Sequence, residues 1–184
     1  MSTDPLQSRE IVVGVTGGIA AYKAAGLVST LRQRGAAVTV VMTRAAVRFV
    51  QPLTFAALSG RRAITDLFEP PHRYQAEHVA LGQKAELAIV APATANFLGK
   101  AASGIADDAL TTTVLSLQCP VVLAPAMNPR MWANPAVEHN VARLRELGYH
   151  IVDPEVGWLA CGEKGAGRLA DLDAILQAAE AALS

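Results

Sequence analysis

The chain has 184 residues, 52% of them hydrophobic, 17% charged and 5% aromatic, and its sixteen basic and sixteen acidic side chains cancel to a formal charge of zero. Length and apolarity together define one domain, 1–184, with a full core, and exclude a disordered chain. The balanced charge lacks the basic field with which nucleic-acid binders neutralise phosphates, and sets that class aside.

The first ten residues, MSTDPLQSRE, contain no apolar stretch of the secretory kind, so 1–9 are expected to be a flexible lead-in. No apolar run reaches the ~18 residues of a membrane helix. A cytoplasmic protein with two free thiols, Cys119 and Cys161, is the expectation.

The β-branched run at 11–16 has the length of a buried strand and ends in Gly17 and Gly18. From Ile19 the apolar residues at 20, 24, 27, 28 and 31 keep helical spacing, and Gly35 stands where a helix C-terminal cap belongs. A second strand follows at 38–42. Residues 87–90 predict a strand stopped by Pro92, followed by helices over about 95–103 and 108–117. Residues 121–123 predict a strand stopped by Pro125, and Pro135 opens a helix bearing Val137, Val141, Leu144 and Leu147. A short strand at 149–152 and a helix lined by Leu172, Ile175, Leu176, Ala179 and Leu183 complete the chain. Continuous apolar strands alternating with amphipathic helices imply an α/β fold: a single Rossmann-like, doubly wound parallel sheet with helices on both faces. Ligands are expected at the carboxyl ends of its strands.

Those ends carry distinctive residues. Gly17, Gly18, Ile19 and Ala20 open a helix whose free N–H groups suit a phosphate, although a βα turn needs glycine for steric reasons too. Thr43 offers a hydroxyl. Arg44 stands where an acidic ribose ligand would be in an NAD site, which leaves an NADP reading open. Pro92, Ala93, Thr94, Ala95 and Asn96 form a small-residue surface able to bond a polar ring edge, or a helix cap, as Asp107 and Asp108 also suggest. Asn128, before Pro129 and near Met127, Met131 and Trp132, suits recognition of a carboxylate, or else simply starts a turn. Three glycines among residues 162–167 predict a mobile loop around Cys161, where Lys164 and Arg168 can tune the thiol. Cys119 reads as a small buried filler. His78, taken alone, reads as structural.

Taken together, TGGIAAYK, EHVALGQKAELAIVAPATAN, PAMNPRMW and ACGEKGAGRL, in this order, resemble the flavin-dependent cysteine decarboxylases, in particular the phosphopantothenoylcysteine decarboxylases of coenzyme A biosynthesis. The likeness runs from about residue 11 to 169. Phe97, Leu98, Ala109 and Leu169 depart from the family's usual residues. The resemblance implies a flavodoxin-like flavoprotein fold and FMN held by residues 17–20, Thr43 and residues 92–96. It further implies a substrate, 4′-phosphopantothenoylcysteine, held by Asn128, Met131, Ala160, Cys161 and Gly162. His78 is then the base or proton relay beside the flavin, Asn128 orients the carboxylate, and Cys161 returns a proton. The implied reaction oxidises the cysteine thiol to a thioaldehyde, loses CO2 and reduces the enethiol to 4′-phosphopantetheine. Family members form homotrimers or dodecamers with sites between subunits, and many are fused to a phosphopantothenate–cysteine ligase. The chain reads as a stand-alone enzyme or an excised domain. The alternatives are a decarboxylase of a C-terminal peptide cysteine and a non-catalytic regulatory homologue.

Overall fold

In the computed structural model, which describes residues 4–68, 77–160 and 162–184, five parallel strands lie in the order β2-β1-β3-β4-β5. They are β1 Glu10–Val15, β2 Ala37–Met42, β3 Leu87–Ala93, β4 Val121–Pro125 and β5 His150–Ile151. Val13 of β1 aligns with Val40 of β2 on one side and Ile89 of β3 on the other. The chain order reverses at β1 and β3, and such a switch point leaves a crevice beyond the strand ends.

Burial on both faces explains the continuous apolar strands. Ile11, Val13 and Val15 pack with Leu27 of α1 (Ala21–Gln33) and Ile175 of α8 (Leu172–Ala182). Val12, Val90 and Leu123 pack on the other face with Phe97 of α4 (Ala95–Ala102), Leu110 of α5 (Ala109–Ser116) and Val141 of α7 (Pro135–Glu146). A Cβ on Gly14 would lie 2.6 Å from Leu110 Cδ1, so the glycine lets α5 close on β1.

Several elements differ from the sequence pattern. Strand β3 runs through Pro92 to Ala93, because its register against β4 shifts between Val90 and Ala93 and the ladder there needs no proline N–H. The stretch after β2 contains a 3-10 turn, Ala46–Arg48, and the helices α2 (Pro52–Ser59) and α3 (Glu77–Lys84). The Ile64 N–H donates to Val40 O and the Ile64 carbonyl accepts the Met42 N–H, which covers the edge of β2.

The N-terminal segment, expected to be flexible, is anchored over residues 4–9. Leu6 is fully buried, and the Asp4 carboxylate accepts two 2.7 Å bonds from the Arg34 guanidinium. Polarity alone could not register one leucine and one ion pair.

The glycine-rich stretch expected as a mobile loop is also ordered. Strands β6 (Glu155–Trp158) and β7 (Lys164–Arg168) pair antiparallel as a separate hairpin. A Cβ on Gly165 would sit 2.8 Å from Pro129 Cγ, and one on Gly167 would overlap Met127 O. These glycines mark close approach of the hairpin to the Met127–Pro129 backbone rather than mobility. That backbone leads into one helical turn, α6 (Pro129–Trp132). Among the described residues, no helix is long and apolar enough to cross a membrane.

Candidate functional site

The carboxyl ends of β1 and β3 are locked together by Thr16. Its buried hydroxyl donates to Pro92 O at 2.7 Å and accepts the Thr94 N–H at 3.0 Å. Thr94, not Asn96, caps α4 by accepting from Phe97 N–H. Asn96 is left exposed in the first helical turn. Across the crevice, Thr43 Oγ1 accepts the Ala46 N–H at 3.2 Å and fixes the 3-10 turn.

These residues line a first cavity of about 500 Å³, together with Gly17, Arg44, Ala95 and Met131. Its volume lies within the range of about 300–1,000 Å³ usual for small-molecule sites. Lys100 also lines it but is held by Asp107 at 2.7 Å and Asp108 at 3.4 Å, and the bond to Asp107 pushes its pKa up. Asp108 forms a capping box with Thr111 at the start of α5, so both aspartates have structural partners. Arg44 has no ion pair among the described residues.

A second cavity, of about 450 Å³, lies on the other side of the Gly17–Gly18 turn. Gly18, Ile19 and Ala20 line it with Met127, Asn128 and Ala160. Asn128 Oδ1 accepts the Arg130 N–H at 2.8 Å and caps α6. Both readings of Asn128 therefore hold at once. Its carbonyl starts a turn, while its amide N–H2 has no partner among the described residues and is available to a carboxylate or carbonyl.

The glycine turn serves these two cavities differently. A Cβ on Gly17 would overlap Ala45, whereas one on Gly18 would meet only Thr94 Cγ2, at 3.6 Å. Gly17 is demanded by the fold. Gly18 leaves an open cradle beside the first turn of α1, where N–H groups and the helix dipole favour a phosphate. The residues present therefore fit a phosphorylated cofactor.

Not every candidate is brought together. His78, on α3, is half-buried and lines neither cavity; its carbonyl accepts the Ser116 hydroxyl at 3.0 Å. Pro92 and Ala93 are buried in β3 and contribute backbone rather than cavity surface. Met131 faces the first cavity and Asn128 the second, although both belong to the α6 turn. Gly162 lies at the hairpin turn and lines neither, and Cys161 falls outside the described residues. Cys119 is half-buried, and burial pushes its thiol pKa up.

Thr16, Lys23 and Trp158 were not singled out as site residues from the sequence, and Arg168 only as a group near the Cys161 thiol. Thr16 was visible as the residue before the glycine pair. The other three gain meaning only once the hairpin is seen to cover the second cavity. Among the described residues, no three His, Cys, Asp or Glu side chains are placed to hold a metal.

The whole chain, residues 1–184, matches the model of the flavoprotein family, and the chain belongs to that family. Among curated relatives it is 49% identical over 175 residues to the coenzyme A biosynthesis bifunctional protein CoaBC of Bacillus subtilis. It is 47% identical over 172 residues to the protein of the same name from Mycolicibacterium smegmatis. The matches cover 95% and 94% of this chain but only 43% and 41% of those proteins, so the chain spans less than half their length.

Among solved structures, the FMN-dependent cysteine decarboxylase SpaF is 40% identical with a TM-score of 0.80, over 96% of this chain and 99% of that one. A cysteine-to-serine mutant of a PPC decarboxylase, complexed with pantothenoylaminoethenethiol, is 28% identical with a TM-score of 0.83. That match covers 93% of this chain and 96% of the other.

Proposed function

We propose that the chain catalyses FMN-dependent decarboxylation of 4′-phosphopantothenoylcysteine to 4′-phosphopantetheine in coenzyme A biosynthesis. The observation that carries this reading is the pair of cavities meeting at the Gly17–Gly18 turn, with the Asn128 amide in one of them unpartnered among the described residues. The 49% identity to a bifunctional coenzyme A biosynthesis protein and the 40% identity to an FMN-dependent cysteine decarboxylase support it. These relatives also support a soluble cytoplasmic enzyme with a ligase domain or protein as its partner.

In this reading the first cavity holds FMN. Gly17 and Thr43 of that cavity, with Gly18 and the opening of α1 at its border with the second, would hold its phosphate, and Thr94, Ala95 and Asn96 would meet its ring system. Bound FMN would supply reversible two-electron chemistry for oxidation of the cysteine thiol and reduction of the decarboxylated product. Asn128 holds the carboxylate through its amide N–H2 while its own carbonyl stays fixed on Arg130 N–H, so the group is oriented without relaxing α6. Cys161, between Ala160 and Gly162, gives the proton needed when the enethiol is reduced.

His78 is the base or relay. Because it lines neither cavity of its own chain, the proposal places it at the site of a neighbouring copy, within a trimer or a dodecamer.

The test is to purify the chain, record the flavin spectrum and measure CO2 release from 4′-phosphopantothenoylcysteine, with a C-terminal peptide cysteine as the competing substrate. A yellow protein that decarboxylates the phosphorylated compound is expected. A colourless protein inert after FMN is added, or one acting only on the peptide, overturns the reading. Cys161→Ser is expected to decarboxylate but accumulate the unsaturated enethiol, and normal product at full rate removes Cys161 from its role. His78→Asn is expected to keep flavin with little turnover.

A further inference from the structure

We infer that Ser116 and Gly82 are positioning residues for His78: together they hold α3 on the end of α5 and so fix where the histidine reaches. The inference rests on the decarboxylase reading above, in which His78 is the base or relay.

α3 is only eight residues long, Glu77–Lys84. Helices shorter than about 12 residues are marginal in water by themselves, so the place of α3 is decided by what it docks on. Leu81 packs against the buried cluster that contains Leu110 and Val114 of α5. Apolar packing of this kind is non-directional and tolerates a shift. Beyond the C-terminal end of α3 the chain is pinned by the Glu86 N–H on Glu10 O. A pin at one end leaves a short helix free to swing.

Ser116, the last residue of α5, removes that freedom with its carbonyl and its hydroxyl. The carbonyl accounts for Gly82. A Cβ there would lie 2.7 Å from Ser116 O and 3.3 Å from Ser116 Oγ, so only glycine lets the two helices approach this closely. Glycine inside a helix weakens it relative to alanine, and close approach is what it gains here. The hydroxyl reaches His78 itself. Ser116 Oγ donates to His78 O at 3.0 Å and to Thr113 O at 2.7 Å, so one proton is shared between α3 and the preceding turn of α5. Residues 78 and 82 are one helical turn apart, and Ser116 therefore grips a single turn of α3 from two directions.

A general base works only within hydrogen-bond reach of the proton it removes. His78 lines neither cavity of its own chain, so the lie of α3 decides which atoms of a neighbouring copy it can reach. Ser116 and Gly82 touch neither cavity and act through that helix alone.

The experiment measures kcat, KM and flavin content of the holoenzyme in Ser116→Ala, Ser116→Thr and Gly82→Ala, with thermal unfolding alongside. Ser116→Ala leaves the α3 backbone its own helical bonds and is expected to fold as wild type does. Misplacing a reacting group by about 1 Å costs on the order of 100-fold, and loosening α3 without displacing it is expected to lower kcat about tenfold. KM and FMN content are expected to stay unchanged. Threonine keeps the hydroxyl and can bond the carbonyl three residues back, so Ser116→Thr is expected to restore most of the rate. Gly82→Ala drives a methyl against a backbone oxygen, displaces α3 and is expected to lower kcat further than Ser116→Ala. In a His78→Asn background, followed as slow anaerobic bleaching of stoichiometric flavin, Ser116→Ala is expected to change nothing, because no base remains to be aimed. Wild-type kcat in Ser116→Ala or Gly82→Ala, a loss that appears in KM or flavin content instead, or a further loss in the His78→Asn background overturns the inference. Release of no CO2 by the wild type overturns the decarboxylase reading itself, and with it this one.

Discussion

Met127 donates its backbone N–H to Gly167 O at 3.0 Å, and a Cβ on Gly167 would overlap Met127 O. This contact seats the β6–β7 hairpin on the loop that carries Asn128. Gly167 has φ +131°, which alone disfavours any other residue. Gly167→Ala is therefore expected to lift the hairpin from the loop while the parallel sheet stays intact. Overpacking of this kind costs about 1–3 kcal/mol. The expected outcome is a modest loss in urea-unfolding stability together with at least a tenfold loss in kcat/KM, because Trp158, Ala160 and Arg168 line the cavity from the hairpin side. Wild-type activity in Gly167→Ala would show that hairpin docking does not shape the site.

Asn128 joins a structural bond to a free donor, and a single substitution separates the two. Aspartate caps helices as well as asparagine does, so Asn128→Asp keeps the bond to Arg130 N–H. It replaces the amide N–H2 with a carboxylate oxygen facing the substrate carboxylate. Stability is expected to stay within about 0.5 kcal/mol of wild type, while decarboxylation falls at least 100-fold and FMN stays bound. Loss of a charged hydrogen bond plus like-charge repulsion accounts for that size. Thermal unfolding, flavin absorbance and CO2 release check the three parts. An active Asn128→Asp enzyme would leave Asn128 with its cap alone.

The sheet was legible because its strands are buried on both faces, so runs such as 11–15 and 38–42 admit hardly a polar residue. The capping glycines were legible for a local reason as well, and Gly35 and Gly148 have φ of +82° and +88°. The hairpin was not. Strand β7 reads KGAGR, and its glycines carry no β signal because what they record is contact with Met127 and Pro129, far away in sequence. The same distance hid the site. Motif order assembled Gly18, Asn96 and Asn128 from separate strand ends, but only the fold shows Thr16 tying β1 to β3, or Lys23 and Asn128 sharing a cavity. Leu6 and Asp4 were missed since anchoring by two residues leaves no periodic trace.

Acid sensitivity has a readable contribution from Glu86. Its Oε2 accepts the Glu10 N–H at 3.0 Å and its Oε1 pairs with Arg9. The backbone bond first, and the arginine second, hold its carboxyl below the ordinary 4.5. With the folded pKa depressed, the unfolded chain binds more protons below about pH 4.5. The contribution is therefore fully present above that value and is lost as pH falls through the folded pKa. The side chain is 39% exposed, and solvent screening keeps the effect to about 1 kcal/mol or less. Glu86→Gln is expected to be less stable than wild type at pH 7 and nearly equal to it at pH 3. Urea unfolding across that range measures the convergence; a constant gap would place the effect in packing rather than in charge.

Gly17 and Gly18 are adjacent but answer to different demands. In Gly17→Ala the new methyl collides with Ala45, whose backbone carbon would lie 2.8 Å away, so the turn before α1 must move. A loss of about 1–3 kcal/mol is expected. In Gly18→Ala the nearest atom is Thr94 Cγ2 at 3.6 Å, an ordinary contact, and the apoprotein is expected to be within about 0.5 kcal/mol of wild type. What the second methyl fills is the cradle beside the free N–H groups of α1, where the flavin phosphate is proposed to approach the backbone. Gly18→Ala should therefore fold normally but purify with little FMN, and its flavin dissociation constant should rise at least tenfold. Denaturation of the apoprotein, followed by flavin titration monitored by fluorescence quenching, separates the two variants. Full FMN occupancy in Gly18→Ala would move the phosphate away from this turn and toward Thr43 and Arg44, which line the first cavity.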